Sequence, residues 1–232
     1  MAGSKPDPRD RILDVAERVF ASEGIEAVSM RSLAAQVGIT LSNLQYHFPS
    51  KPQLLEACFA RCIAPINAAR CVRLDVLLSG DGPVDVEQVV DAWVRPLVDT
   101  HHPDRAVVVM RFIGRFLAAA VGPEYARETY DEVGRRAINA LQKALPEDDI
   151  TDIVWKYNFM IGVLLFTLGG QMLMARLPSE FDYIPRSYDP RSADAETTLK
   201  RLVKFVAEGM RAPLPPFAGS LARKKASKAP RS

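Results

Sequence analysis

The sequence predicts an all-α protein with a small N-terminal unit and a larger helical remainder, and three observations predict it. Apolar residues return at helical spacing in segment after segment between Ile12 and Met210. Proline, glycine or a small capping residue marks each junction. No hairpin dipeptide sits between alternating apolar and polar runs, and no repeat is present, so strands have little support. With 232 residues, 48% of them hydrophobic, the chain can bury a core of its own.

Ile12, Val15, Ala16, Val19 and Phe20 form the stripe of a first helix, entered through Asp7 as N-cap and Pro8 at its first position, and closed at Gly24. A second, short helix starts from Ser29, buries Leu33 and Ala34, and stops at Gly38, where a missing Cβ permits the positive φ of a sharp turn. Thr40 caps a third, Leu41 to Phe48, because Pro49 disfavours helical geometry at the residue before it. Ser50 and Gln53 have the spacing of a capping box that opens a long helix through Leu54, Leu55, Cys58, Phe59, Cys62, Ile63 and Ile66, with a kink expected at Pro65. Further helices are expected over Val84 to Asp99, Asp104 to Val121, Pro123 to Leu145, Ile150 to Arg176 and Ala193 to Met210. Pro178 to Arg191 reads as a long loop. The resulting division is a DNA-binding unit over 1–52, a helical ligand-binding and dimerisation unit over 53–212, and a basic disordered tail over 213–232.

The formal charge of +2 neither demands nor excludes a nucleic-acid partner, so the distribution of charge decides. Ala27 to Leu55 contains no acid but holds Arg31 and Lys51. The tail carries Arg211, Arg223, Lys224, Lys225, Lys228 and Arg231 with no acid after Glu208. Three cysteines, Cys58, Cys62 and Cys71, are an odd number in a chain without a secretory start, which points to reduced thiols in a cytoplasm. His47, His101 and His102 do not complete a metal spacing, so buried thiols are favoured over a metal site and no cofactor is expected. Tyr157 to Ala175 is uncharged and approaches the length of a membrane span. Asn158, Thr167, Gln171 and three glycines interrupt it, which favours a buried helix.

Two short helices joined at Gly38 and braced by a preceding amphipathic helix have the layout of a helix-turn-helix. The third helix sharpens this reading. Leu44 and Phe48 can anchor it, which leaves Thr40, Ser42, Asn43, Gln45, Tyr46 and His47 as compact polar groups facing outward. Gln45 suits adenine N6 and N7, Leu41 a thymine methyl, and Thr40, Tyr46, His47 and Lys51 phosphate oxygens. Arg11 to Leu55 resembles the TetR family of repressors, above all in Ser29-Met-Arg-Ser-Leu-Ala, Val37-Gly-Ile-Thr and Tyr46-His-Phe-Pro-Ser-Lys. The resemblance implies a TetR-like fold, with an N-terminal three-helix helix-turn-helix domain followed by a divergent helical ligand-binding and dimerisation domain. It also puts Arg31, Thr40, Ser42, Asn43, Gln45, Tyr46, His47 and Lys51 on DNA-contacting positions. Leu41 stands where the family often has lysine and Gln45 where it often has an aromatic residue, so the operator sequence is not implied.

By the same resemblance a small molecule bound between the middle helices would release the protein from DNA. Candidate lining residues are Trp93, Arg111, Phe112, Arg115, Phe116, Tyr130, Trp155 and Phe159, although an ordinary helical core uses the same aromatic residues. Phe166, Leu117 and Tyr125 belong to the same apolar set. Arg111 and Arg115 lie one turn apart in an acid-free stretch, so an anion, a surface location or a partner on another helix must accommodate them. The segments Met110 to Phe116 and Asn158 to Gly170 are similar to the fatty-acid-responsive branch, which implies an acyl inducer with an anionic head. Control by a protein partner or by a non-acyl aromatic ligand is the alternative. Apolar surface on Ile150 to Arg176 and Ala193 to Met210, with Gly162, Gly169 and Gly170, predicts a homodimer through a four-helix bundle on a near-palindromic site of double-stranded DNA. No nucleophile elbow, phosphate-cradling glycine loop or zinc-protease motif is present, so an enzyme is not expected.

Overall fold

The computed structural model describes residues 7–119, 123–169 and 188–216, apart from the side chains of 118, 123–128 and 169. Among the described residues there are helices and connecting turns only. Asp7 caps α1 (Pro8–Glu23) by accepting from the Arg9 amide at 2.9 Å, and Gly24, with φ of 98°, ends it. α2 (Met30–Val37) opens on a reciprocal capping box between Ser29 and Ser32 and closes on Gly38 in the left-handed region, φ 79°. Thr40 accepts from the Asn43 amide to start α3 (Leu41–His47).

α4 (Lys51–Ser79) runs through the division at residue 52 without interruption, and Pro65 lies inside it. Its cap is one-sided, with Ser50 accepting from the Gln53 amide at 3.4 Å, and the expected reciprocal bond does not accompany it. α5 (Val86–Asp99) begins instead with a full box between Asp85 and Gln88. α6 (Pro103–Ala118), α7 (Pro123–Ala144), α8 (Ile150–Gly169) and α9 (Ala195–Arg211) follow close to their expected positions. Residues 120–121 of the expected sixth helix, 170–176 of the expected eighth, 178–187 of the loop, 217–232 of the tail and the side chain of Tyr125 lie outside the description.

α1, α2 and α3 pack around Ile12, Ala16, Phe20, Leu33, Val37 and Leu44, all buried, to make the small N-terminal unit. α4 leaves that unit and packs against α5 and α7, while α6 bridges α1 on one side and α8 on the other. The bridge contains a buried ion cluster. Glu17 of α1, only 1% exposed, accepts from Nε of Arg61 on α4 at 2.8 Å and pairs with Arg105 of α6 at 3.1 Å. Arg61 also reaches Asp14 at 2.7 Å. Two cations offset the desolvation of one carboxylate, and the three helices are thereby held in one register.

Cys58 and Cys62 are buried in the same region, where burial first and the Glu17 charge second push both thiols well above their ordinary range. They are neutral packing groups. Cys71 departs from the expectation of a buried thiol, being only half-buried. α8 departs in the same way from its expectation as a buried helix. Long and apolar enough by length and composition to cross a membrane, it is only 22% buried over Ile150–Leu168 among the described residues.

The cluster predicts a specific stability pattern. Arg61→Met leaves Glu17 buried with one cation fewer and lowers the free energy of unfolding by about 2 to 4 kcal/mol. Adding Glu17→Leu removes the stranded carboxylate and restores much of the loss. Urea titration of the two variants checks this; a double variant no more stable than the single one contradicts it.

His101 predicts an acid limb. Burial, then the charge of Arg105, hold its pKa below the ordinary value, against a bond to the Cys62 carbonyl and the charge of Glu17. Its Nε2 is buried without a partner among the described residues. A lowered folded pKa means that protonation favours the unfolded chain. Stability is therefore present above the unfolded value of about 6.5 and is lost as pH falls through it toward the folded value. Melting temperatures across this window fall less steeply for His101→Gln than for the wild type; identical slopes contradict the assignment.

Candidate nucleic-acid interface and core cavity

α3 is seven residues long and held at two points. Leu44 is fully buried and Phe48, just after the helix, is 2% exposed. Because these lie four residues apart on one face, Ser42, Asn43, Gln45 and Tyr46 fall on the opposite side and are exposed, with Leu41 and His47 half-buried at the flanks. Tyr46 is 82% exposed, far from the usual state of a tyrosine, and its ring meets that of His47 edge-on at 5.3 Å. Thr40 at the N-cap is exposed, Lys51 at the start of α4 is half-buried, and Arg31 is exposed in the first turn of α2. The nine residues expected on a DNA face therefore all have solvent access, on α2, α3 and the start of α4.

Two residues that sequence reasoning missed brace this face. Arg11 donates to the Val37 carbonyl at 2.9 Å and closes the end of α2 beside the Gly38 turn. Arg9 donates to the His47 carbonyl at 3.3 Å and lies 4.4 Å above the Phe48 ring. A weak signal existed: both are cations near the N-terminus of α1, where the helix dipole disfavours positive charge and so favours a partner on another element.

In the core, a cavity of about 330 Å³ lies among α4, α5, α6, α7 and α8. Of the eight expected lining residues, Trp93 and Tyr130 line it; the other six do not. Phe112 and Phe116 are buried, Phe112 near Phe20 of α1 at 6.3 Å and Phe116 stacked on Phe59 of α4 at 4.2 Å. Arg115 turns toward the N-terminal unit and donates to the Ser22 carbonyl at 3.3 Å. Arg111 is half-buried and acts electrostatically on Asp189, ahead of α9. Trp155 and Phe159 lie against each other on the outer side of α8, 43% and 53% exposed.

The reason is angular. Met110, Ile113 and Leu117 carry the cavity-facing stripe of α6, so the positions between them turn toward α1 and α4. On α8, Ile161, Leu164 and Leu168 face the cavity, leaving Trp155 and Phe159 outside.

The cation at the cavity is Arg70, which sequence reasoning did not single out. It is 5% exposed, donates through Nε to the Trp93 carbonyl at 2.8 Å and through Nη1 to Asn67 Oδ1 at 3.0 Å, and lies 4.2 Å over the Trp93 ring. Tyr130 is hydrogen-bonded to it, and burial lowers its pKa against the opposing influence of Tyr130 and Tyr157. Burial in turn raises the pKa of both phenols, so both remain protonated. The signal lay in spacing: Arg70 continues the stripe Cys62, Ile66, Leu74 at four-residue intervals and so had to be buried.

Residues 12–58 match the profile of bacterial regulatory proteins of the tetR family, and residues 91–209 that of a tetracyclin repressor-like C-terminal domain. An HTH-type transcriptional regulator from the dhlA 5′ region of Xanthobacter autotrophicus is 39% identical over a stretch covering 26% of this chain and 35% of that protein. The HTH-type transcriptional repressor KstR2 of Mycolicibacterium smegmatis is 40% identical over 21% and 23%. The chain thus spans about a quarter to a third of the length of these curated relatives. Among solved structures, the TetR-family regulator PfmR of Thermus thermophilus superposes with a TM-score of 0.54 at 17% identity, covering 90% of this chain and 98% of that one. The ketosteroid transcriptional regulator KstR2 of Mycobacterium tuberculosis gives 0.55 at 16% identity, over 90% and 97%. Both share the fold.

Proposed function

This chain belongs to the TetR family of helix-turn-helix transcriptional regulators, which bind DNA and are not enzymes, and from that premise we propose a repressor that holds a duplex operator as a homodimer and leaves it when a small amphipathic molecule enters the core. The observation that carries the DNA reading is α3, whose anchors are buried while its other polar groups stand in water. A short helix so mounted enters a major groove, with Gln45 directed to adenine, Leu41 to a thymine methyl, and Ser42 and Asn43 along the base edges. Thr40, Tyr46, His47 and Lys51, with Arg31 at the start of α2, take phosphate oxygens. Repression rather than activation is supported by the repressor KstR2 among the relatives, and action on an operator implies a cytoplasmic location.

The dimer reading is supported by apolar surface that the described residues leave exposed. Trp155, Phe159 and Phe166 on α8 and Phe205 on α9 are between 43% and 70% exposed. A Cβ added at Gly162 would meet nothing within 4 Å, so a neighbouring helix can approach there. Two copies pairing α8 and α9 bury this surface as a four-helix bundle, without lipid, and set two recognition helices about 34 Å or a multiple of it apart on a near-palindromic site. Arg111 and Arg115 are not among the residues that line the described cavity. The inducer reading rests instead on the cavity itself, which is apolar and lies beside the helices that touch the N-terminal unit.

Selection from a random duplex pool tests the division of labour on α3. Gln45→Ala relaxes base preference at one position of each half-site and costs about 1 to 3 kcal/mol. Tyr46→Phe and Lys51→Ala weaken binding to all duplexes more evenly. An unchanged preferred sequence for Gln45→Ala contradicts the role given to that residue.

Sedimentation tests the assembly. The wild type runs as a dimer at micromolar concentration, and Phe159→Glu, which puts a charge on the uncovered face, runs as a folded monomer with intact circular dichroism. A dimeric Phe159→Glu contradicts the α8 and α9 interface.

A further inference from the structure

We propose that the cavity takes a compact organic anion, its carboxylate on Arg70 and its apolar body among the side chains of α6 and α8. The inference rests on the reading of this cavity as the inducer site and supplies the ligand class. Arg70 is a buried guanidinium whose hydrogen-bond partners among the described residues are all neutral: the Trp93 carbonyl, the Asn67 amide oxygen and the Tyr130 hydroxyl. It forms no ion pair with a described residue, in contrast to Arg61, Arg95 and Arg136, each of which holds at least one carboxylate. A guanidinium has five N–H donors, and three acceptors do not exhaust them. Burying such a charge without an opposite one is costly, and the fold supplies only dipoles and a ring face.

The position of the group turns that deficit into recognition. Arg70 lines the cavity together with Tyr130 and Tyr157, whose protonated hydroxyls can donate to the same anion. Beyond these three and Asn158, the described lining is apolar, with Ile113, Leu117, Ile161, Leu164, Leu165 and Leu168 in it and no further charged group. A ligand that satisfies both ends has one negative group and an otherwise hydrocarbon body. A cation meets repulsion at Arg70, and a neutral chain leaves the guanidinium as it was. The volume, near the lower end of the roughly 300 to 1,000 Å³ typical of small-molecule sites, favours a medium-chain or small aromatic acid. The charged contact is therefore made from α4, the helix that continues into the N-terminal unit.

Isothermal titration of the full chain with octanoate and decanoate, against the alcohols and amines of the same lengths, tests the proposal. The acids bind about tenfold or more tightly than the alcohols, as a charge-assisted bond implies, and the amines do not bind. Arg70→Met brings acid and alcohol to similar affinity, Arg70→Lys keeps a reduced preference for the acid, and Leu164→Trp, which fills the cavity, removes binding of both. The wild-type ranking carries the test even if Arg70→Met does not fold. Alcohols binding as tightly as acids, with Leu164→Trp still blocking them, overturn the ligand class and leave the inducer site standing. Failure of every probe to bind the wild type overturns the proposal and removes support from the inducer reading.

Discussion

The arrangement depends on one buried carboxylate. Glu17 sits on the helix that supports the DNA-facing pair, and its two cations come from α4 and α6, the two helices that border both the N-terminal unit and the cavity. A carboxylate at 1% exposure has no solvent to fall back on, so its guanidinium partners must keep their positions or the charge is stranded. Apolar contacts alone tolerate sliding of helices more readily than this constraint does. Around it the packing is aromatic: Phe20 meets Phe112, and Phe59 stacks on Phe116.

α6 is consequently a helix with two distinct sides. One lines the cavity through Met110, Ile113 and Leu117; the other meets the N-terminal unit through Phe112, Phe116 and Arg115, with Arg105 on Glu17. A ligand that moves α6 or the Arg70 turn of α4 therefore cannot leave the N-terminal unit untouched. Such a ligand changes DNA affinity only by binding one arrangement of the two heads better than the other, since equal affinity for both shifts nothing. α4 offers one route by continuity of chain. α6 adds a second route that continuity does not reveal.

Much of this was legible in the sequence, for identifiable reasons. The helices of the N-terminal unit follow from local chemistry: Asp7 and Pro8, Ser29, Gly38 and Thr40 act on residues within a turn of themselves. Leu44 and Phe48 likewise determine which side of α3 faces water. The cavity was poorly legible because its lining is decided by which neighbour each face meets. Periodicity shows that Phe112, Ile113 and Phe116 are apolar, but a stripe has the same spacing whether it faces α1 or α8. Arg70 escaped notice because a charged residue within an apolar stripe reads as an exception to it. That Trp155 and Phe159 lie outside the cavity was not legible either, because an apolar residue at helical spacing reads the same on a covered face and on an exposed one.

Pulsed electron spin resonance between labels attached at Glu26→Cys, an exposed site near the α1 to α2 turn, with the half-buried Cys71 replaced by serine, measures the separation of the two N-terminal units in the proposed dimer most directly. If Glu17 and its cations couple these units to the core, the wild type gives one narrow distance that moves to a second narrow distance when the cavity is occupied. Glu17→Gln then broadens both distributions. A distance that ignores a ligand shown to be bound, or a distribution equally narrow in Glu17→Gln, would contradict the coupling.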